Sequence, residues 1–235
     1  MSAGAMRRND VGTQGGDARR RTGGDTVMPM DAGTRGLVRV ALGLFDLPEA
    51  VLEERMRSAR AVGTPPLWLE ELLLSSVLFV GYPRAFLAAG ALRRIEPDPA
   101  EGGEPSQYEG WREWLARGED TCRVIYGPHY DRLRENIKAL HPALDTWMIV
   151  DGYGKTMSRP GLDLARRELC SVAMLVPQDA PRQLLSHLKG ALNAGAAPGA
   201  VEGVVELAAA EKLPEARVAV ARQLWRELRD TLAHD

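Results

Sequence analysis

Glu168 and His187 carry side chains that exchange protons near neutral pH, and the sequence sets both at the margin of an apolar helical stripe. Taking 100° per residue, Leu184, Leu185, Leu188, Ala191 and Leu192 form a stripe about 120° wide, with His187 roughly 100° from its centre. In the preceding segment Glu168 lies about 80° to 90° from the centre of the stripe Ala165, Leu169, Val172, Ala173 and Val176. Antiparallel helices that share a core bring such flanks together, so the spacing predicts one cleft faced by both groups. A half-buried imidazole beside a carboxylate is a candidate proton carrier. The alternative is a surface histidine and a glutamate near a helix start that happen to flank a core.

Other reactive side chains are sparse. Cys122 and Cys170 stand in no C-x-x-C or metal-ligand spacing and are read as buried thiols in a reducing compartment. The four histidines, His129, His141, His187 and His234, are scattered, so no metal site is expected. His141 precedes Pro142 and suits a cap or a packing role, while His129 and His234 read as surface residues. Arg159, followed by Pro160, could hold a carboxylate through its planar fork or simply shape a turn.

The elements that must position these groups are helical. Leu37, Val40, Ala41 and Leu44 share one face, Leu52, Met56 and Ala59 another, and Gly63 ends the second segment. Leu69, Leu72, Leu73, Ser76 and Val77 form a third helix, which Gly81-Tyr-Pro breaks before a fourth over residues 85–94. After an acidic Pro/Gly stretch, helical patterns run over residues 111–116, 130–140 and 142–150, the last with Leu144 and Trp147 or Met148 inward. Three more follow at 164–176, 181–193 and 201–211, and a closing helix begins at Pro214. Alternating β-type runs are scarce, so the fold class is all-α.

A shift of 132 positions carries Arg35 onto Arg167, Leu52 onto Leu184, Gly63 onto Gly195, Pro66 onto Pro198 and Glu70 onto Glu202. A tandem duplication is the simplest reading. It divides the chain into a disordered tail (1–33), a first, degenerate unit (34–95), an acidic linker (96–110) and a second unit (111–235). Met28 or Met30 could be the true start. Where the second unit has Glu168 and His187, the first has Gly36 and Arg55, so chemistry of this type belongs to the second.

Composition bounds the rest. With 45% hydrophobic residues, 26% charged and a net charge of −2, the chain offers one large or two small cores and no global attraction for nucleic acid or anionic membrane. No uninterrupted apolar run reaches the roughly eighteen residues of a membrane span, and the arginine-rich start lacks the apolar region of a secretory signal. These features lead to the expectation of a cytoplasmic protein.

Arg159-Pro-Gly-Leu-Asp, Arg167-Glu168-Leu169 and His187-Leu-Lys-Gly-Ala-Leu-Asn-Ala-Gly195, with Glu202 following, resemble the carboxymuconolactone decarboxylase family. Arg35, residues 59–63, Glu70 and Gly81-Tyr-Pro83-Arg84-Ala85 resemble the same signature with its polar centre removed. The resemblance implies two tandem copies of an alkylhydroperoxidase D-like helical domain, no cofactor, and assembly as a homo-oligomer, a trimer for a chain that carries two copies. It implies a decarboxylase in the catabolism of aromatic compounds, with His187 as acid, Glu168 orienting it, and Arg159 and Gln183 binding substrate. The thiol peroxidase branch has a C-x-x-C pair where this chain has Ala180 and Gln183, which disfavours that activity. The decarboxylase branch has Glu at the position of Gln183, and the departure leaves open a catalytically silent, ligand-binding relative of the same fold.

Overall fold

The computed structural model describes residues 30–102, 104 and 110–232. Its first helix, α1 (Ala32–Gly43), starts where the Asp31 carboxylate accepts from the Thr34 backbone N–H at 2.8 Å, an N-cap. Helix α2 (Glu49–Ala61) ends in a turn in which Gly63 adopts φ 94°, and Thr64 N–H donates to the Ala59 carbonyl at 3.0 Å. Helix α3 (Pro66–Ile95) has proline in its first turn and is kinked at Gly81, whose φ of 73° and ψ of 168° leave the helical region.

The second half continues with α4 (Trp111–Tyr126), a 3-10 turn (Gly127–His129), α5 (Tyr130–Leu140) and α6 (Pro142–Trp147), then a π-helical stretch (Met148–Met157). Four helices close the chain: α7 (Leu164–Leu175), α8 (Pro181–Asn193), α9 (Pro198–Ala210) and α10 (Glu215–Leu232). No strand occurs among the described residues, as the all-α expectation requires. Local devices recur at the offset of 132: Asp163 caps α7 by accepting from the Arg166 N–H at 3.0 Å, and Gly195 adopts φ 94°. Pro198 then opens α9 as Pro66 opens α3.

One core joins the two halves. Helix α1 packs on α7, and Leu37, Leu42, Leu52 and Leu72 share a buried cluster with Val172, Ala173, Leu188 and Val204. A smaller cluster around Cys122, Ile125, Ile149 and Tyr153 packs α4 against the π-helical stretch. That crossing is close: a Cβ on Gly154 would fall 1.8 Å from the Trp114 carbonyl oxygen, and one on Gly118 2.1 Å from that of Ile149. Among the described residues α3 alone is long and apolar enough, by length and composition, to cross a bilayer. Its kink and its burial of Leu69, Leu72, Ala88 and Leu92 give it a place in the core.

Several sequence expectations need correction. The tail expected over 1–33 ends earlier, because Asp31 is a cap, Ala32 is already helical and Met30 is buried. The rest of the tail, Met28 included, lies outside the described residues, as do His234 and positions 103 and 105–109 of the linker. The helix expected over 111–116 runs on to Tyr126. Leu144 and Trp147 are 45% and 60% exposed rather than inward, because the short α6 instead buries Asp145, which pairs with Arg134. His141 caps α6, its Nδ1 accepting from the Ala143 N–H at 3.0 Å.

Candidate functional site

Helices α7 and α8 pack together and set Glu168 and His187 face to face. The His187 Nδ1–H donates to Glu168 Oε2 at 2.8 Å. The carboxylate has no exposed surface, and its second oxygen, Oε1, is buried without a partner among the described residues. The imidazole is therefore what relieves the desolvation of this carboxylate. The ring is 12% exposed and meets the edge of the Phe79 ring, centroids 5.4 Å apart. Nδ1 is thus committed, and Nε2 is the nitrogen left to act on a ligand.

Gly190 makes the arrangement possible. A Cβ there would lie 2.7 Å from Glu168 Oε2 and 2.7 Å from Ile125 Cγ2. We expect Gly190→Ala to displace the carboxylate and cost about 1–3 kcal/mol through overpacking, read as a lower urea midpoint. An unchanged midpoint and an unchanged His187 NMR signal would contradict this packing. The first unit lacks the space altogether: a Cβ on Gly36 would meet Thr64 Oγ1 at 2.6 Å. Arg55, in the position of His187, donates to the Arg39 carbonyl at 2.7 Å and to Glu211 at 2.6 Å. The polar centre is packed shut there and open in the second unit.

His187 lines a cavity of about 1170 Å³, with Gln183, Tyr126, Tyr153, Phe79 and Arg159 also on its walls. Gln183 is exposed to it from the first turn of α8. Arg159 is 9% exposed; its Nε and Nη2 hold Glu71 at 3.0–3.2 Å, and Nη2 also donates to the Glu104 carbonyl at 2.7 Å. Arg159 is therefore a structural anchor, and its Nη1 has no hydrogen-bond partner among the described residues.

Sequence reasoning missed Glu71, Phe79, Gly190 and a tyrosine pair. Tyr153 O–H donates to the Tyr126 oxygen at 3.2 Å, and burial pushes the Tyr126 phenol up to about 12 and Tyr153 well above its ordinary value. Both phenols are neutral donors at working pH. The tyrosines come from different elements, so no spacing signal could pair them. Gln178 holds the Phe79 segment by donating to its carbonyl at 3.0 Å.

Cys122 and Cys170 sit in different core clusters, and burial pushes each thiol up to about 12. Neither supplies the thiolate a peroxidase needs. The unfolded chain loses these protons from about pH 8.5, whereas the native chain keeps them, so stability falls as pH rises above that point. Each thiol contributes a loss of about 1.4 kcal/mol per pH unit. Melting temperature should drop between pH 8 and pH 10, and less steeply in Cys170→Ala; equal melting at both pH values would refute it. Among the described residues no group of three or more His, Cys, Asp or Glu could hold a metal ion.

Residues 142–224 match the carboxymuconolactone decarboxylase family. The matched segment contains Arg159, Glu168, Gln183 and His187 together with helices α6 to α9; the first unit lies outside it. Two curated relatives share part of the chain. Peroxisomal protein 2 of Schizosaccharomyces pombe is 30% identical over 129 residues, 54% of this chain and 61% of that protein. Peroxisomal protein 2 of Saccharomyces cerevisiae is 31% identical over 123 residues, 52% of this chain and 41% of that protein. The chain thus covers less than two thirds of the length of either. Both relatives are named for the peroxisome, which overturns the cytoplasmic expectation.

Proposed function

We propose that this chain is a cofactor-independent acid–base enzyme of the carboxymuconolactone decarboxylase type. Its substrate is a carboxylated lactone or related ring compound, and its setting the peroxisome for which its relatives are named. The observation that carries the reading is the 2.8 Å contact between His187 and a fully buried Glu168 at the wall of the cavity.

In such a reaction the bond from ring carbon to carboxylate breaks, CO₂ leaves, and its electron pair passes into the conjugated carbonyl as an enolate. The enolate carbon then takes a proton from His187 Nε2, and the imidazole regains one from water. Glu168 balances the charge of the protonated ring and fixes the Nδ1–H. The Tyr126 hydroxyl, accepting from Tyr153, has its own proton to offer the enolate oxygen. Arg159 Nη1 and Gln183 bind the carboxylate and carbonyl of the substrate.

Purified full chain assayed with 4-carboxymuconolactone tests this. We expect turnover, reduced about 10²- to 10⁴-fold in His187→Ala with the far-UV circular dichroism unchanged. A parent chain that does not turn the lactone over would remove the decarboxylase and favour the silent, ligand-binding relative. Turnover insensitive to the substitution would remove His187 as the acid.

We further propose that the recurrence at 132 positions reflects a tandem duplication, and that the chain assembles as a homo-oligomer, a trimer. The exposed Phe86 and Leu87, on α3 beyond the cavity, support an apolar contact surface, and sedimentation equilibrium measures its stoichiometry.

A further inference from the structure

We infer that the carboxylated substrate carries a long apolar tail, and that the tail lies in the groove running from His187 along α3. The head of this ligand rests on the acid–base reading above; the tail rests on the groove alone.

Size comes first. The cavity holds about 1170 Å³, above the roughly 300–1,000 Å³ that encloses a drug-sized ligand, so a single carboxylated ring would fill only one end. Its long walls are apolar. Leu74 and Leu78, one turn apart on α3, face Leu133 and Ile137 from α5, with Leu144 and Trp147 at the rim. Leu74, Leu78, Leu144 and Trp147 are each between 43% and 60% exposed, and all four line this one cavity rather than lying scattered over the surface. The outward Leu144 and Trp147, which a core-seeking reading would bury, have their use here.

Charge marks the head. Arg159 and Arg182 line the groove, and Lys155 and Asp151 are also on its walls. Behind the wall, Arg159 and Arg167 share Glu71, two positive charges on one negative, and the Arg159 Nη1 has no hydrogen-bond partner among the described residues. An apolar trough with a cationic end, next to a proton donor, complements a long-chain anion.

The probe is dansyl-undecanoic acid, titrated into the full chain and followed by its emission. We expect saturable binding below about 100 µM, displaced by dodecanoate and far less by dodecan-1-ol or hexanoate. Leu78→Asp, at an exposed position, should weaken binding about tenfold or more without loss of helicity. Val220→Asp, at an exposed position outside the groove, should bind as tightly as the parent. No binding, equal displacement by the alcohol, or an unaffected Leu78→Asp would overturn the inference. So would dissociation of an oligomer by Leu78→Asp, which would make the groove a contact between copies. Turnover of 4-carboxymuconolactone with no inhibition by dodecanoate would overturn the tail and leave the acid–base reading standing.

Discussion

Glu71→Gln lowers the stability of the chain by about 3–5 kcal/mol, because it strips the shared carboxylate from two buried guanidiniums. Glu71 is 1% exposed and accepts from Arg159 at 3.0–3.2 Å and from Arg167 at 2.8 Å. Arg167 has no exposed side-chain surface, and burial holds its guanidinium below its usual value, against the opposing pull of Glu71. Its other contacts are the carbonyls of Leu162 at 3.0 Å and Arg159 at 2.9 Å, which tie down the turn entering α7. Glutamine fits the space but supplies no charge, so two cations face each other out of water. Melting temperature should fall by about 10 °C or more. The double variant Glu71→Gln/Arg159→Gln should recover part of the loss, since it removes one of the stranded charges. A single variant that melts with the parent would show that the carboxylate does not hold this junction.

The contrast between Glu71 and Glu168 shows what the sequence displays and what it hides. The periodic stripes around Leu184–Leu192 and Leu169–Val176 place Glu168 and His187 on facing flanks, and the helices do bring them to 2.8 Å. Nineteen positions separate them and one helical hairpin joins them, so local periodicity carries the whole geometry. Glu71 lies 88 positions from Arg159 and 96 from Arg167, and its place among apolar α3 residues gives no sign of distant partners. The helix end at Gly63 was readable for a similar local reason, since its turn lies within a few residues of its own position, whereas the N-cap Asp31 falls in the stretch read as tail. The groove was not readable. It is enclosed by α3, α5, α6 and the π-helical stretch, and Leu144 and Trp147 count as core by hydrophobicity yet line an open surface. Gly190 looks like an ordinary weak point in a helix until the carboxylate of the neighbouring helix occupies the room it leaves.

Glu168→Gln reduces turnover by about two to four orders of magnitude while leaving substrate affinity and melting temperature near those of the parent. The carboxylate has a single hydrogen-bond partner among the described residues, so its loss strands no other donor. Replacing a desolvated charge with a neutral amide of the same shape removes a burial cost along with the ion pair, and the two effects oppose each other. Catalysis has no such compensation. The carboxylate keeps the proton on Nδ1 and neutralises the ring when Nε2 is also protonated; the amide can instead donate to Nδ1, which moves the neutral ring's proton to Nε2. Such a ring has no carboxylate to balance the charge it must carry before delivering a proton to carbon. Nitrogen-15 spectra of histidine-labelled protein read the change directly, with the proton of His187 on Nδ1 in the parent and on Nε2 in the variant. Glu168→Asp separates charge from reach: it restores the charge one methylene short of the ring, so it should recover part of the rate and leave the affinity unchanged. A glutamine variant that turns over like the parent, with an unaltered nitrogen spectrum, would reduce the pair to a packing contact.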